Sequence, residues 1–240
     1  MSFSILFNLL SYYFPWLAID VRAESKYHQS SKNLTPAGSH YQHGANPRRS
    51  NQLGHSLRIC CAWSSPPTNG QLTYKIVGGT KADQQAVSSA TNAWMKSVNG
   101  LNFVQVPKNN VADITVVFQS GVAQDSGSGI GTTSTFGDTV GQTSTYFDPN
   151  GHINHTLVTI ATAAFGNKIS SLQLKQIAMH ELGHTLGLGH ANFNGDLMSP
   201  VINSATGGIS KCDVTGVLHA EQWLTGSNTN GQPQEDHVNC

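Results

Sequence analysis

A mixed α/β or α+β fold is predicted for this chain of 240 residues. The observations are several short β-rich runs, two segments with apolar residues at helical spacing, and an order of strand, helix, strands, second helix. The first run is residues 72–77 (LTYKIV), closed by Gly78-Gly79. Residues 83–98 follow as a helix, with Ala86, Val87, Ala90, Ala93, Trp94 and Val98 at helical spacing behind an Asp83 cap. Residues 101–106 (LNFVQV) and 112–118 (ADITVVF) read as two more strands. A Gly/Ser/Thr-rich loop from Gln119 to about Gly141 is longer than a compact connection needs, so it is expected to lie over the surface near a site. Residues 152–162 are the next strand, with Ile153, His155, Leu157 and Thr159 on one face and Asn154, Thr156, Val158 and Ile160 on the other. Ser170 then opens the second helix through a capping box, in which Gln173 reaches back to the cap.

Composition narrows the function. Hydrophobic residues are 38% and charged residues 11%, and 13 basic residues balance 13 acidic ones. A neutral chain has no electrostatic reason to seek nucleic acid or an anionic membrane. Coiled coil and charge-rich disorder are excluded by the same numbers. The excess is in histidine, 11 residues or about one in 22, which hints at metal.

Four regions are expected. Residues 1–23 read as an export signal, because residues 3–19 carry no charge and Val21-Arg22-Ala23 suits cleavage after Ala23. An uncleaved anchor is the alternative, and either places the rest outside the cytoplasm. Residues 24–69 read as a polar pro-segment or linker, with Arg48-Arg49 as a candidate processing site. Its histidines, His28, His40, His43 and His55, lack ligand spacing and are expected to be solvated. Residues 70–226 form the domain, and 227–240 a tail.

The chemistry is concentrated in the second helix. His180 and His184 are four apart, so they project from one face, one turn from each other, and can grip one cation from the same side. Glu181 lies one step round, near a metal without being needed as a ligand. Gly187 ends the helix and permits a left-handed turn, after which Leu188-Gly189 carries His190 back toward the same point. Three neutral imidazoles leave a tetrahedral Zn²⁺ one open position for water, the layout of a catalytic rather than a structural site. HExxH alone is a weak signal. Requiring Gly187 and His190 as well multiplies in one in ten and one in 22 at this composition, or about one in 220.

HELGHTLGLGH (residues 180–190) resembles the extended zinc signature HExxHxxGxxH of the metzincin metalloproteases. Asp196-Leu197-Met198-Ser199-Pro200 resembles the methionine turn of that clan, and its LMxP form is most similar to the matrixins. LTYKI, the helix ending in Ala93-Trp94, LNFVQV, ADITVVF and DVTGVLHAEQW (residues 213–223) resemble that family's elements in order, from about Leu72 to Leu224. The resemblance implies a twisted, mostly parallel sheet with an antiparallel edge strand, an active-site helix and a C-terminal helix. It implies a zinc endopeptidase in which His180, His184 and His190 hold one zinc. Glu181 would be the general base toward water, Met198 the apolar floor, and Pro200 a wall of the pocket for the residue after the scissile bond. A peptide substrate would add as a strand at an edge formed by residues 141–149. Calcium in loops holding Asp125, Asp138 and Asp148 is a further implication, set against the commoner role of loop aspartates as turn caps.

The chain departs from the family pattern in several places. No PRCGxPD switch sequence is present. Residues 141–149 (GQTSTYFDP) resemble the family's GxLAHAFxP segment, but Thr145 stands where that segment has its structural-zinc histidine, so only one zinc is expected. His152 and His155, three apart on a strand, point to opposite faces and do not replace it. Cys60, Cys61, Cys212 and Cys240 suit disulfides in an exported protein. Of three pairings the adjacent one is the least expected, which leaves two that tie Cys60 and Cys61 to Cys212 and Cys240. An unorthodox thiolate switch from Cys60 or Cys61 is the alternative. Asn33 and Asn154 begin glycosylation sequons. A secreted, monomeric zinc endopeptidase is the expectation, against a non-catalytic secreted module that keeps zinc only for stability.

Overall fold

The computed structural model describes residues 21–29, 54–64, 71–119, 139–164, 167–202, 206–226 and 236–240. Its first elements are β1 (Val21–Gln29), β2 (Ser56–Ile59), β3 (Gln71–Val77), α1 (Lys81–Ser97), β4 (Asn102–Gln105) and β5 (Ile114–Gln119). Next come β6 (Thr139–Phe147), β7 (Ile153–Ala161), the short pair β8 (Ala163–Ala164) and β9 (Asn167–Lys168), and α2 (Ser171–Thr185). The rest is β10 (Leu188–Ala191), β11 (Val201–Ile202), α3 (Lys211–Ala220), a 3₁₀ turn (Gln222–Thr225) and β12 (Asp236–Asn239).

The fold class is as predicted, a mixed α/β domain. Strands β4, β3, β5 and β7 are parallel neighbours, and β6 joins β7 antiparallel. Alternation drives this: β3 buries Leu72, Tyr74 and Ile76 at every second residue, and β5 buries Ile114 and Val116. Helices α1 and α2 pack on each other, and α2 lies against β6 and β7. Trp94, fully buried at the end of α1, donates its indole N–H to Met179 O at 2.9 Å, which pins the two helices together. Burying a side chain of this kind stabilises by roughly 1.5–3 kcal/mol. The cap of α1 is Thr80 rather than Asp83; Asp83 is the third helical residue and completes the capping box from inside.

Three expectations are corrected. The segment 141–149 is not a sheet edge. Strand β1 runs parallel to β6 from Ala23↔Gly141 to Gln29↔Phe147, and β11 lies outside β1, giving the order β11-β1-β6-β7-β5-β3-β4. The polar composition of residues 21–29 hid the strand, because main-chain hydrogen bonds to an unpaired edge need no apolar pattern.

The second correction concerns the segments taken for linker and tail, which both supply strands. Strand β2 pairs antiparallel with β10 on one side and β12 on the other. Leu57 and Ile59 are buried there, and Trp63 sends its indole N–H to Thr185 O at the end of α2. The expected signal segment, the dibasic pair and the sequon at Asn33 lie outside the described residues, apart from residues 21–23 in β1.

The third concerns the cysteines. Cys60 is bridged to its neighbour Cys61, and Cys212 to Cys240. β12 folds back along β2 and brings Cys240 to the first turn of α3, where the two Cα atoms are 5.3 Å apart. Closing that loop is worth about 3–4 kcal/mol in the chain-entropy account.

Glu221, at the end of α3, ties these parts together. Both its carboxylate oxygens accept from Trp63 N at 3.3 Å, and Oε2 accepts from Trp223 Nε1 at 2.6 Å. Burial pushes its carboxyl from 4.5 up to about 8, against the pull of those donors. The folded chain therefore binds more protons here than the unfolded chain between those values, and this contribution to stability falls as pH rises through the window. Glu221→Gln is expected to gain stability relative to wild type from pH 4.5 to about 8, read by urea unfolding. A difference that stays constant over that range would contradict the protonated buried carboxyl.

Candidate active site

Helix α2 begins with the capping box that its sequence predicts. Gln173 N donates to Ser170 Oγ at 3.3 Å, and Gln173 Oε1 accepts from Ser170 N at 3.0 Å. The last turns of this helix carry His180, Glu181 and His184, all buried. His180 Nδ1 lies 2.6 Å from Leu197 O and His184 Nδ1 lies 2.8 Å from Leu188 O. A carbonyl can only accept, so Nδ1 carries the proton in both rings and Nε2 is left bare.

The third imidazole arrives by the turn at Gly187. Its φ of 83° is left-handed, and a Cβ there would run into Cys61 O, so both the conformation and the space demand glycine. The chain then enters β10, clamped on both sides. Cys60 N donates to Gly187 O at 2.9 Å on the β2 side, and Ala191 N donates to Met198 O at 2.8 Å on the other. His190 is thereby held with its ring centroid 5.5 Å from His180 and 5.0 Å from His184.

The donor set suits a metal ion. One ligand atom from each of the three histidines lies within 4.8 Å of the others, and all three Nε2 atoms are buried without a hydrogen-bond partner. Buried nitrogens left unsatisfied are costly, and a cation satisfies all three at once. Burial, reinforced by the nearby His190, lowers His180 to about 3. Burial with both ring neighbours holds His184 well below its ordinary value. Burial and the Arg58 charge lower His190 to about 4. All three are neutral at pH 7, the form that coordinates.

Glu181 is fully buried beside them. Its Oε2 accepts from Thr143 Oγ1 at 2.6 Å, while Oε1 has no partner. Burial raises its carboxyl to about 8, and the Thr143 hydrogen bond opposes that rise.

Met198 lies against this helix. Its backbone N donates to Asp196 Oδ1 at 2.9 Å, and Ser210 Oγ donates to Asp196 Oδ2 at 2.9 Å, so Asp196 shapes the turn. The predicted residues His180, Glu181, His184, His190 and Met198 thus come together. Pro200 is exposed just before β11. Thr145 is buried in β6. Asp148 accepts from the N–H groups of Asn150 and His152, both at 2.9 Å, and so caps a turn; Asp125 and Asp138 lie outside the described residues. His152 precedes β7 and His155 reaches Ala112 O at 3.2 Å. His55 stacks on Phe193 with centroids 4.3 Å apart, whereas His40 and His43 lie outside the described residues. With Cys60 and Cys61 bridged to each other, neither offers a thiolate.

Sequence reasoning missed Asp196, Gly141 and Thr143. Asp196 had a readable signal, an aspartate two residues before a backbone N–H it could cap. Thr143 had none, because nothing in a polar strand says which hydroxyl meets a helix.

A family model described as matrixin matches residues 62–220. The chain is 30% identical to Metalloendoproteinase 2-MMP of Arabidopsis thaliana, over 63% of this chain and 39% of that protein. It is also 30% identical to Interstitial collagenase of Equus caballus, over 55% of this chain and 27% of that protein. The matches thus span less than half the length of these relatives. The solved structure of myroilysin aligns with a TM-score of 0.43 at 14% identity, covering 66% of this chain and 82% of that one.

The packing at Met198 is directly testable. A Cβ at Gly183 would lie 2.5 Å from Met198 Sδ and 3.3 Å from Trp94 Cζ2, so Gly183 provides the space that the methionine fills. Gly183→Ala is expected to destabilise by about 1–3 kcal/mol through overpacking, measured by thermal or urea unfolding. Unchanged stability would show that Met198 does not press on the helix.

Proposed function

The chain belongs to the matrixin family, and from that premise we propose that it is a secreted zinc-dependent endopeptidase. The observation that carries this reading is the combination of three unpartnered Nε2 atoms that meet and a buried carboxylate, Glu181, on the helix turn between His180 and His184. A site that kept a metal only for stability would gain nothing from burying Glu181, whose desolvation is costly. That argues against the non-catalytic module. Two disulfides support an oxidising, extracytoplasmic setting. Among the described residues no helix is long and apolar enough to cross a membrane.

His180, His184 and His190 would hold the zinc, their rings fixed in the coordinating tautomer or orientation by Leu197 O, Leu188 O and the β2–β10 pairing. Bound there, zinc would supply Lewis acidity toward the scissile carbonyl and toward water. Glu181 accepts the water's proton at Oε1, the oxygen without a partner, and then donates it to the leaving amine. A divalent charge at the histidines favours the carboxylate form that this role needs. Met198 and Leu197 are both fully buried, with Met198 packed at Gly183 on the same helix as His180 and His184. Pro200 would border the pocket for the residue after the scissile bond.

A peptide substrate adding to β6 as a strand meets β1 already there. One edge accepts one strand, so the residues 21–29 and the substrate compete. Processing at Arg48-Arg49 would free the edge.

Three outcomes test the reading. His184→Ala or His190→Ala is expected to lose the single tight zinc by elemental analysis; retention in both refutes the site. Glu181→Gln is expected to keep zinc and fold while kcat falls about 10²–10⁴-fold on a peptide library. Equal cleavage by both proteins, or none by either with zinc bound, favours the binding module. A chain beginning at Ser50 is expected to have the higher kcat/KM; equal values would show that β1 does not compete.

A further inference from the structure

Strand β6 presents Gly141, Thr143 and Thr145 on its buried face, with Gln142 and Ser144 alternating toward the other side. That face meets α2 at Glu181. Thr143 is fully buried, and its hydroxyl lies 2.6 Å from Glu181 Oε2 and 3.2 Å from Glu181 O. Two positions back, a Cβ at Gly141 would collide with Glu181 Oε1 and with Ile177 Cγ2. The carboxylate is therefore held by a donor on one oxygen and by absent bulk beside the other. At the place of Thr143 the family segment GxLAHAFxP has a leucine, which cannot donate.

We propose that Thr143 is a positioning residue for the hydrolytic reaction. Its hydroxyl ties Oε2 of Glu181 while Oε1 is seated in the room that Gly141 leaves, so the carboxylate is held in one orientation for proton transfer. This rests on the reading of Glu181 as the general base. A carboxylate with both oxygens unrestrained would spread over rotamers that point neither oxygen correctly, and a small misplacement of a catalytic group is costly in rate. The Thr143 side chain faces inward to α2 and leaves the main-chain groups of β6 as they are, so the effect belongs in kcat rather than KM.

The test is a double-mutant cycle in the zinc-loaded full chain, with a peptide substrate, using Thr143→Val and Glu181→Gln. Thr143→Val is expected to lower kcat about tenfold to a hundredfold, the worth of one hydrogen bond to a charged group. KM should stay within about twofold and zinc content should be unchanged. Thr143→Ser, which keeps the hydroxyl, should recover kcat to within about threefold of wild type. In the Glu181→Gln background Thr143→Val should change the residual rate by less than about twofold, because the two groups act as a unit. Urea unfolding of the chelator-treated chain provides a readout independent of activity, in which the same pair should be non-additive. Should Thr143→Val not fold, Gly141→Ala displaces the carboxylate without touching the hydroxyl and should give the same fall in kcat at unchanged zinc content. Wild-type kcat in Thr143→Val or Gly141→Ala, with Glu181→Gln inactive, overturns the positioning role and leaves the general base standing. An equal loss in both Glu181 backgrounds overturns it too, since Thr143 would then act elsewhere. Full activity in Glu181→Gln removes the general base and this proposal with it.

Discussion

Three imidazole nitrogens kept bare inside the protein are the constraint on which this structure depends. Each must lose water, lack any protein donor and still meet the other two, and a buried unpaired nitrogen is unstable without a cation. The surroundings answer that demand with backbone rather than side chains. Leu197 O and Leu188 O hold the outer nitrogens of His180 and His184, so the inner ones are left as acceptors. The carbonyls come from Leu197, before Met198, and from β10, which follows the helix directly.

His190 shows how far this reaches. Its strand is paired to β2, which is in turn paired to β12, which leads to the disulfide between Cys240 and Cys212. The third donor is thus positioned by chain from both ends of the sequence. Glu221 closes the same region from the other side by gripping the main chain at Trp63. The region around Trp63 is consequently part of the domain, although its sequence looks like the end of a linker.

Glu181 carries the opposite stress, a carboxylate where water is absent. A lone acid in such a place rises toward neutrality, as its shift to about 8 shows. What offsets this within the chain is a single threonine hydroxyl from β6, and what makes room is a glycine on the same strand. Strand β6 therefore does two things: its inner side chains meet the acid, and its outer main-chain groups take a neighbouring strand. In the structure that edge is occupied by β1, from the chain's own N-terminal region.

The sequence by itself determined whatever depends on local geometry. The spacing of His180 and His184, the Ser170 cap, the Gly187 stop and the alternation in β3 and β5 are each set by neighbours a few residues away, so they are legible without a fold. The order of elements sufficed for the fold class, and residue identities in one short signature sufficed to pick out the three histidines that meet. Tertiary structure decided what depends on meetings between distant segments: the pairing of β1 with β6, the addition of β2 and β12, the cysteine partners, and the contact of Thr143 with Glu181. Edge pairing runs through main-chain groups that every residue possesses, and so it leaves no trace in side-chain pattern. A disulfide depends on where two Cα atoms come to rest, and a hydroxyl at Thr143 becomes a partner for an acid only once a strand and a helix are laid against each other.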